Sequence, residues 1–85
     1  MDWEPTGDLL SDLNQCIING NPIELRYIDK KGDASDRKAL PLEVRGDRVY
    51  MADLNKMALR VFILAQIDGY QVLDEHIDKE SLSLT

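Results

Sequence analysis

Arginine is the residue type that this sequence offers most readily for chemistry. Arg26, Arg37, Arg48 and Arg60 fall in the middle of the chain together with Tyr50 and Phe62. A guanidinium presents a planar donor fork to phosphate or carboxylate, and an aromatic ring beside it offers a stacking surface for a base or another flat ligand. The set points to an anionic, partly aromatic ligand. Side chains for bond-making chemistry are scarce. The only histidine, His76, lies in an acidic stretch with Ser81 and Ser83 as its nearest serines, which makes no nucleophile–base constellation. One histidine and one cysteine without ligand spacing argue against a metal centre. Gly32, Gly46 and Gly69 are isolated turn glycines rather than a phosphate loop. No cofactor, metal site or enzymatic activity is expected. Cys16 has no partner for an internal disulfide and reads as a small core hydrophobe in a reducing compartment.

Whether the arginines and rings share a surface depends on the strands that carry them. Arg48 to Leu64 consists of two apolar-alternating runs around the polar turn Leu54-Asn55-Lys56-Met57. A hairpin centred near Lys56 sets Val49 opposite Ile63, Tyr50 opposite Phe62, Met51 opposite Val61 and Ala52 opposite Arg60. Side chains alternate along a strand, so Val49, Met51, Val61 and Ile63 point one way, and Arg48, Tyr50, Arg60 and Phe62 the other. Ile23 to Asp29 forms a first strand by the same alternation, and from Arg37 a second strand has Leu40, Leu42 and Val44 in phase. Pro41 makes that strand an edge or a bulge at that point. Gly46-Asp47 suits a two-residue type II′ turn that pairs Val44 with Val49 and Leu42 with Met51. Setting Leu25 against Leu40 and Ile23 against Leu42 then gathers Arg26 and Arg37 onto the face of Arg48, Tyr50, Arg60 and Phe62. A slip of one residue would bury the arginines. The alternative is that Tyr50 and Phe62 form a cross-strand pair covered by the helix, with Arg48 paired to Glu43.

Ahead of the strands, residues 1–7 have no periodicity and read as an arm. Leu9, Leu10, Leu13, Cys16 and Ile17 recur at helical spacing, giving a helix over Asp8–Ile18 that Thr6 or Gly7 caps and that Asn19-Gly20-Asn21-Pro22 stops. Tyr70 to Leu73 supplies a fifth strand, and residues 75–85 form an acidic tail with the composition of a short helix. The expected fold is mainly β: a small five-stranded antiparallel barrel with an N-terminal helix, its domain spanning residues 8–74. The net charge of −6 is unevenly spread, because residues 26–60 carry nine bases and six acids while both ends are acidic. Bulk charge of this sign disfavours binding to duplex DNA alone. No apolar run is long enough to span a membrane, and the acidic N-terminus is unlike a signal peptide, so a cytoplasmic protein is expected.

The helix ending in Asn19-Gly20, Ile23-x-Leu25-x-Tyr27, the Gly32 turn, Arg37 with Pro41, Val49-Tyr50-Met51, and Arg60-x-Phe62-x-Leu64 followed by Ile67 together resemble the WYL domain over roughly residues 9–74. The tripeptide Trp-Tyr-Leu that names the family stands here as Val49-Tyr50-Met51. The resemblance implies an Sm- or SH3-like barrel of the kind that follows a winged helix-turn-helix in bacterial transcription regulators. There it acts as a sensor, in some cases of single-stranded nucleic acid or nucleotide-like effectors. It places ligand contacts on Arg37, Tyr50, Arg60 and Phe62. Ile63 and Gln66 stand where the family often has arginine, which weakens the phosphate-dependent part of nucleic-acid affinity. The 85 residues leave no room for a DNA-binding domain. The expectation is a stand-alone sensing module for a nucleotide-like or single-stranded nucleic-acid ligand. Its alternative is an adaptor that binds a protein partner or self-associates through strand edges.

Overall fold

The computed structural model describes residues 8–82; the arm at 1–7 and Ser83 to Thr85 lie outside them. Helix α1 spans Leu9–Asn19. Its cap is Asp8, whose carboxylate accepts from the Leu10 N–H at 3.1 Å, rather than the expected Thr6 or Gly7. Leu13 and Cys16 face the core, and burial pushes the Cys16 thiol pKa up, with Asp12 adding to it. Leu10 is exposed, so the apolar stripe is narrower than its sequence spacing suggested. Gly20 ends the helix in the left-handed conformation, φ 74°, and its N–H donates to the Cys16 carbonyl.

Five strands follow: β1 (Ile23–Ile28), β2 (Ala34–Arg45), β3 (Arg48–Asp53), β4 (Ala58–Ile63) and β5 (Ile67–Val72), with a single 3₁₀ turn, Leu64–Gln66, before β5. All four ladders are antiparallel, in the order β4-β3-β2-β1-β5. The class is mainly β with one N-terminal helix, as the alternation predicts. The inner face buries Ile23, Leu25, Ala39, Val49, Met51, Phe62 and Tyr70 against Leu13 and Cys16. From β1, Tyr27 reaches across to β4. Its hydroxyl accepts from the Ile63 N–H at 3.1 Å and donates to Gln66 Oε1 at 2.6 Å. Tyr70 on β5 donates its hydroxyl to Asp12 of α1.

Two hairpin registers differ from the expected ones throughout, and a third differs in part. In the β3–β4 hairpin, Val49 faces Phe62, Tyr50 faces Val61 and Met51 faces Arg60, one residue from the predicted pairing. The cause is a four-residue loop closed by the Asp53–Ala58 pair, whose last residue, Met57, takes φ 51°. In β1–β2, Leu25 faces Arg37 and Ile23 faces Ala39, three residues from the predicted pairing. Asp29 tightens that turn by accepting from the Lys31 and Asp33 N–H groups at 2.8 and 2.9 Å. Val44 does face Val49 across the Gly46-Asp47 turn, where Gly46 has φ 58°. Met51, however, faces Pro41, and Leu42 is the extra residue of a bulge.

That bulge switches the phase of β2. Arg37, Ala39 and Pro41 lie in phase before it, and Val44 packs on the core after it. Leu40 is buried on the opposite face, beneath the segment that follows β5. This segment is strapped across the end of α1: the Leu73 N–H donates to the Pro22 carbonyl, the Ile77 N–H to Gly20, and Asn21 Nδ2 to the Glu75 carbonyl. His76 stays exposed, with Nδ1 2.7 Å from the Asn19 carbonyl.

Candidate functional site

The phase change carries Arg37 to the inner side of β2, and the β3–β4 register carries Arg60 to the inner side of β4. Asp53, at the end of β3, sits between them opposite Ala39. Arg37 Nη1 lies 3.2 Å and Arg60 Nε 3.4 Å from the same oxygen, Asp53 Oδ2. The carboxylate side chain is 1% exposed, whereas those of Arg37 and Arg60 are 25% and 39% exposed. Both cations therefore reach solvent in front of a carboxylate that does not. Arg37 is steadied by Nε donating to Ser35 Oγ at 3.3 Å, while the buried Arg60 Nε has no hydrogen-bond partner of suitable geometry.

The other carboxylate oxygen belongs to the turn. Asp53 Oδ1 accepts from the N–H groups of Asn55 and Lys56 at 3.0 and 3.2 Å. Burial works to raise the Asp53 pKa, but these two N–H groups and Arg37 outweigh it and hold the carboxyl below its ordinary value. One side chain thus closes a loop and bridges an arginine pair. Sequence reasoning missed Asp53. Its signal was an aspartate immediately before a polar turn, the position from which a carboxylate can hydrogen-bond the next backbone N–H groups.

The other expected site residues lie elsewhere. Phe62 is 3% exposed, in the core, with its ring edge-on to Tyr27 at 5.0 Å and 75°. It offers no open stacking surface. Tyr50 is on the outer face, where the Arg45 guanidinium lies 5.6 Å from its ring centre. It borders a hollow of about 380 Å³ with Leu42, Glu43, Leu59, Lys79 and Leu82. Arg48 is also outer, 3.8 Å from Asp47, and Glu43 pairs with Arg45 rather than with Arg48. With Lys30, Tyr27 and Gln66, Arg48 borders a separate hollow of about 340 Å³. Arg26 pairs with Asp36 across β1 and β2 at 3.2 Å. The structure thus brings together Arg37 and Arg60, with Phe62 two residues along the same face of β4, and separates Tyr50, Arg48 and Arg26 from them. The continuous face of arginines and rings expected from the sequence does not form, because the register shift and the bulge turn its members to opposite sides.

Among the described residues no group of three or more His, Cys, Asp or Glu side chains is placed to hold a metal ion. None of their helices is long and apolar enough to cross a membrane.

The family model described as "WYL domain" matches residues 8–72. Among solved structures, the chain is similar to proteasome accessory factor B/C (PafBC) of Arthrobacter aurescens, with a TM-score of 0.74 at 19% sequence identity. The match covers 85% of this chain and 12% of that one, so the likeness is one of fold over a small part of a longer protein. No curated protein matches the chain.

Proposed function

The chain belongs to the WYL-domain family, and we propose that it is a non-enzymatic regulatory module that senses an anionic, nucleotide-like ligand at Arg37 and Arg60. The observation that supports this reading is the convergence of two partly exposed guanidiniums on one buried carboxylate. Their solvent-facing N–H groups suit phosphate or carboxylate oxygens. Single-stranded nucleic acid presents the same phosphate chemistry. The longer PafBC, in which a similar fold occupies a small share of the chain, fits a domain that works as part of a larger protein.

The test is a titration with adenosine monophosphate and a short single-stranded oligonucleotide at low and moderate salt, followed by NMR. Arg37→Ala or Arg60→Ala weakens binding by about tenfold or more, the loss expected for a hydrogen bond to a charged group. Tyr50→Ala, on the other face, leaves it within about twofold. Equal losses in all three variants would place the ligand elsewhere.

A second reading, a protein-interaction module, is favoured by exposed Leu59 and Val61 on β4 and Val72 on β5, the terminal strands of the sheet. It requires a concentration-dependent increase in mass by sedimentation, which Val61→Lys abolishes.

A further inference from the structure

We propose that Asp53 tunes the Arg37–Arg60 site to a single anionic group and reports its occupancy to the β3–β4 turn. This rests on the reading of Arg37 and Arg60 as the ligand site. Two guanidiniums around one carboxylate leave one net positive charge. A carboxylate matches that charge and a terminal phosphate, with about −1.5 to −2 near neutral pH, already exceeds it; each further phosphate of a strand adds an anion for which this site has no second net cation. The carboxylate is fixed behind the cations, out of solvent, so a ligand approaches from the opposite side and shares the two guanidiniums with Asp53.

Sharing has a mechanical consequence. As a guanidinium turns towards an incoming anion, its hold on Asp53 Oδ2 weakens. The same carboxylate bears the Asn55 and Lys56 N–H groups on Oδ1. Charge and position lost at one oxygen are felt at the other, and the loop adjusts through two backbone hydrogen bonds and the left-handed residue Met57. The loop is poised to respond. The Arg60 Nε is already without a well-aligned acceptor, so a ligand that recruits Arg60 breaks no hydrogen bond at that atom.

The experiment is an NMR titration of the full chain with inorganic phosphate, adenosine monophosphate and a short oligothymidylate, following the Arg37 and Arg60 Nε–H signals and the Asn55 and Lys56 amides. The expected result is that all four signals move along one isotherm for phosphate and for the mononucleotide, and that the oligothymidylate binds within about tenfold of the mononucleotide. Arginine shifts without amide shifts at Asn55 and Lys56 would overturn the role of Asp53 while leaving the ligand site standing. An oligothymidylate that binds on the order of a hundredfold tighter would overturn the single-anion class. Absence of arginine shifts with every probe would overturn the ligand site itself. In Asp53→Asn, phosphate affinity rises by about tenfold as the competing charge is removed, and the correlated movement of arginine and turn signals is lost. Should that variant fail to fold, the wild-type titration decides alone.

Discussion

Asp53 concentrates much of what this domain does at the scale of one residue. A buried carboxylate that loses its charge leaves Arg37 and Arg60 facing each other without a counter-ion and weakens the acceptor for two loop N–H groups. Asp53→Asn is therefore expected to cost about 3 kcal/mol, in the range seen when one partner of a buried pair is removed. Chemical denaturation measures this directly. The pH dependence follows with a definite sign. The folded-state pKa of Asp53 lies below its ordinary 3.8, so its contribution is present above that value and is lost as pH falls below it. Wild-type stability should decline in acid more steeply than that of Asp53→Asn. Tyr27 is the second residue with such reach: Tyr27→Phe keeps the edge-on contact with Phe62 and removes the hydroxyl that the Ile63 N–H and Gln66 share. A loss of about 1–2 kcal/mol is expected, with faster hydrogen exchange at the Ile63 amide.

Among the elements, the turns and the strap decide what the strands can build. Gly20 shows this sharply. A Cβ there would lie 2.7 Å from the Ile77 carbonyl oxygen and 2.9 Å from the His76 ring, besides carrying the strain of a positive φ. Gly20→Ala is expected to cost about 2 kcal/mol or more and to speed exchange at the Ile77 amide. Gly32→Ala, with φ 87° but open space around it, should cost only about 1 kcal/mol. Comparison of the two separates backbone strain from loss of the strap. Between α1 and β5, burial and then Asp12 push the Tyr70 hydroxyl pKa well above its ordinary 10.0. Its stabilisation is whole below that pH and lost as pH rises beyond it, so Tyr70→Phe should flatten the alkaline limb of stability. The strands themselves were legible in the sequence because period-two alternation marks them. Their registers were not. Nothing in Leu54-Asn55-Lys56-Met57 announces that Met57, rather than Asn55, takes the left-handed conformation. Leu40, Leu42 and Val44 look like one apolar face, yet Leu40 is buried by the strap and Val44 packs, partly buried, on the core. The candidate site was legible as a pair of arginines, and illegible as a place, because its position depends on those two registers.

For the molecule as a whole, charge and topology pull in separable directions. With a net charge of −6 the folded state repels itself. Added salt should raise the thermal midpoint of the free protein by a few degrees, on the order of 1 kcal/mol, while weakening anion binding at Arg37 and Arg60. Opposite slopes in one salt series, read by thermal unfolding with and without phosphate, check both. The extra residue at Leu42 governs the rest. Side-chain direction along β2 behaves as a reading frame, and Leu42 is the insertion that allows two frames to coexist in one strand, one paired with β1 and the end of β3 and the other with the start of β3. Straightening the bulge while keeping Leu42 would be a frameshift in space. With the β2–β3 hairpin held in phase, Leu42 would face Met51, Arg37 and Ala39 would turn outward and Lys38 inward, so Asp53 would lose its partner with every functional side chain still present in the sequence.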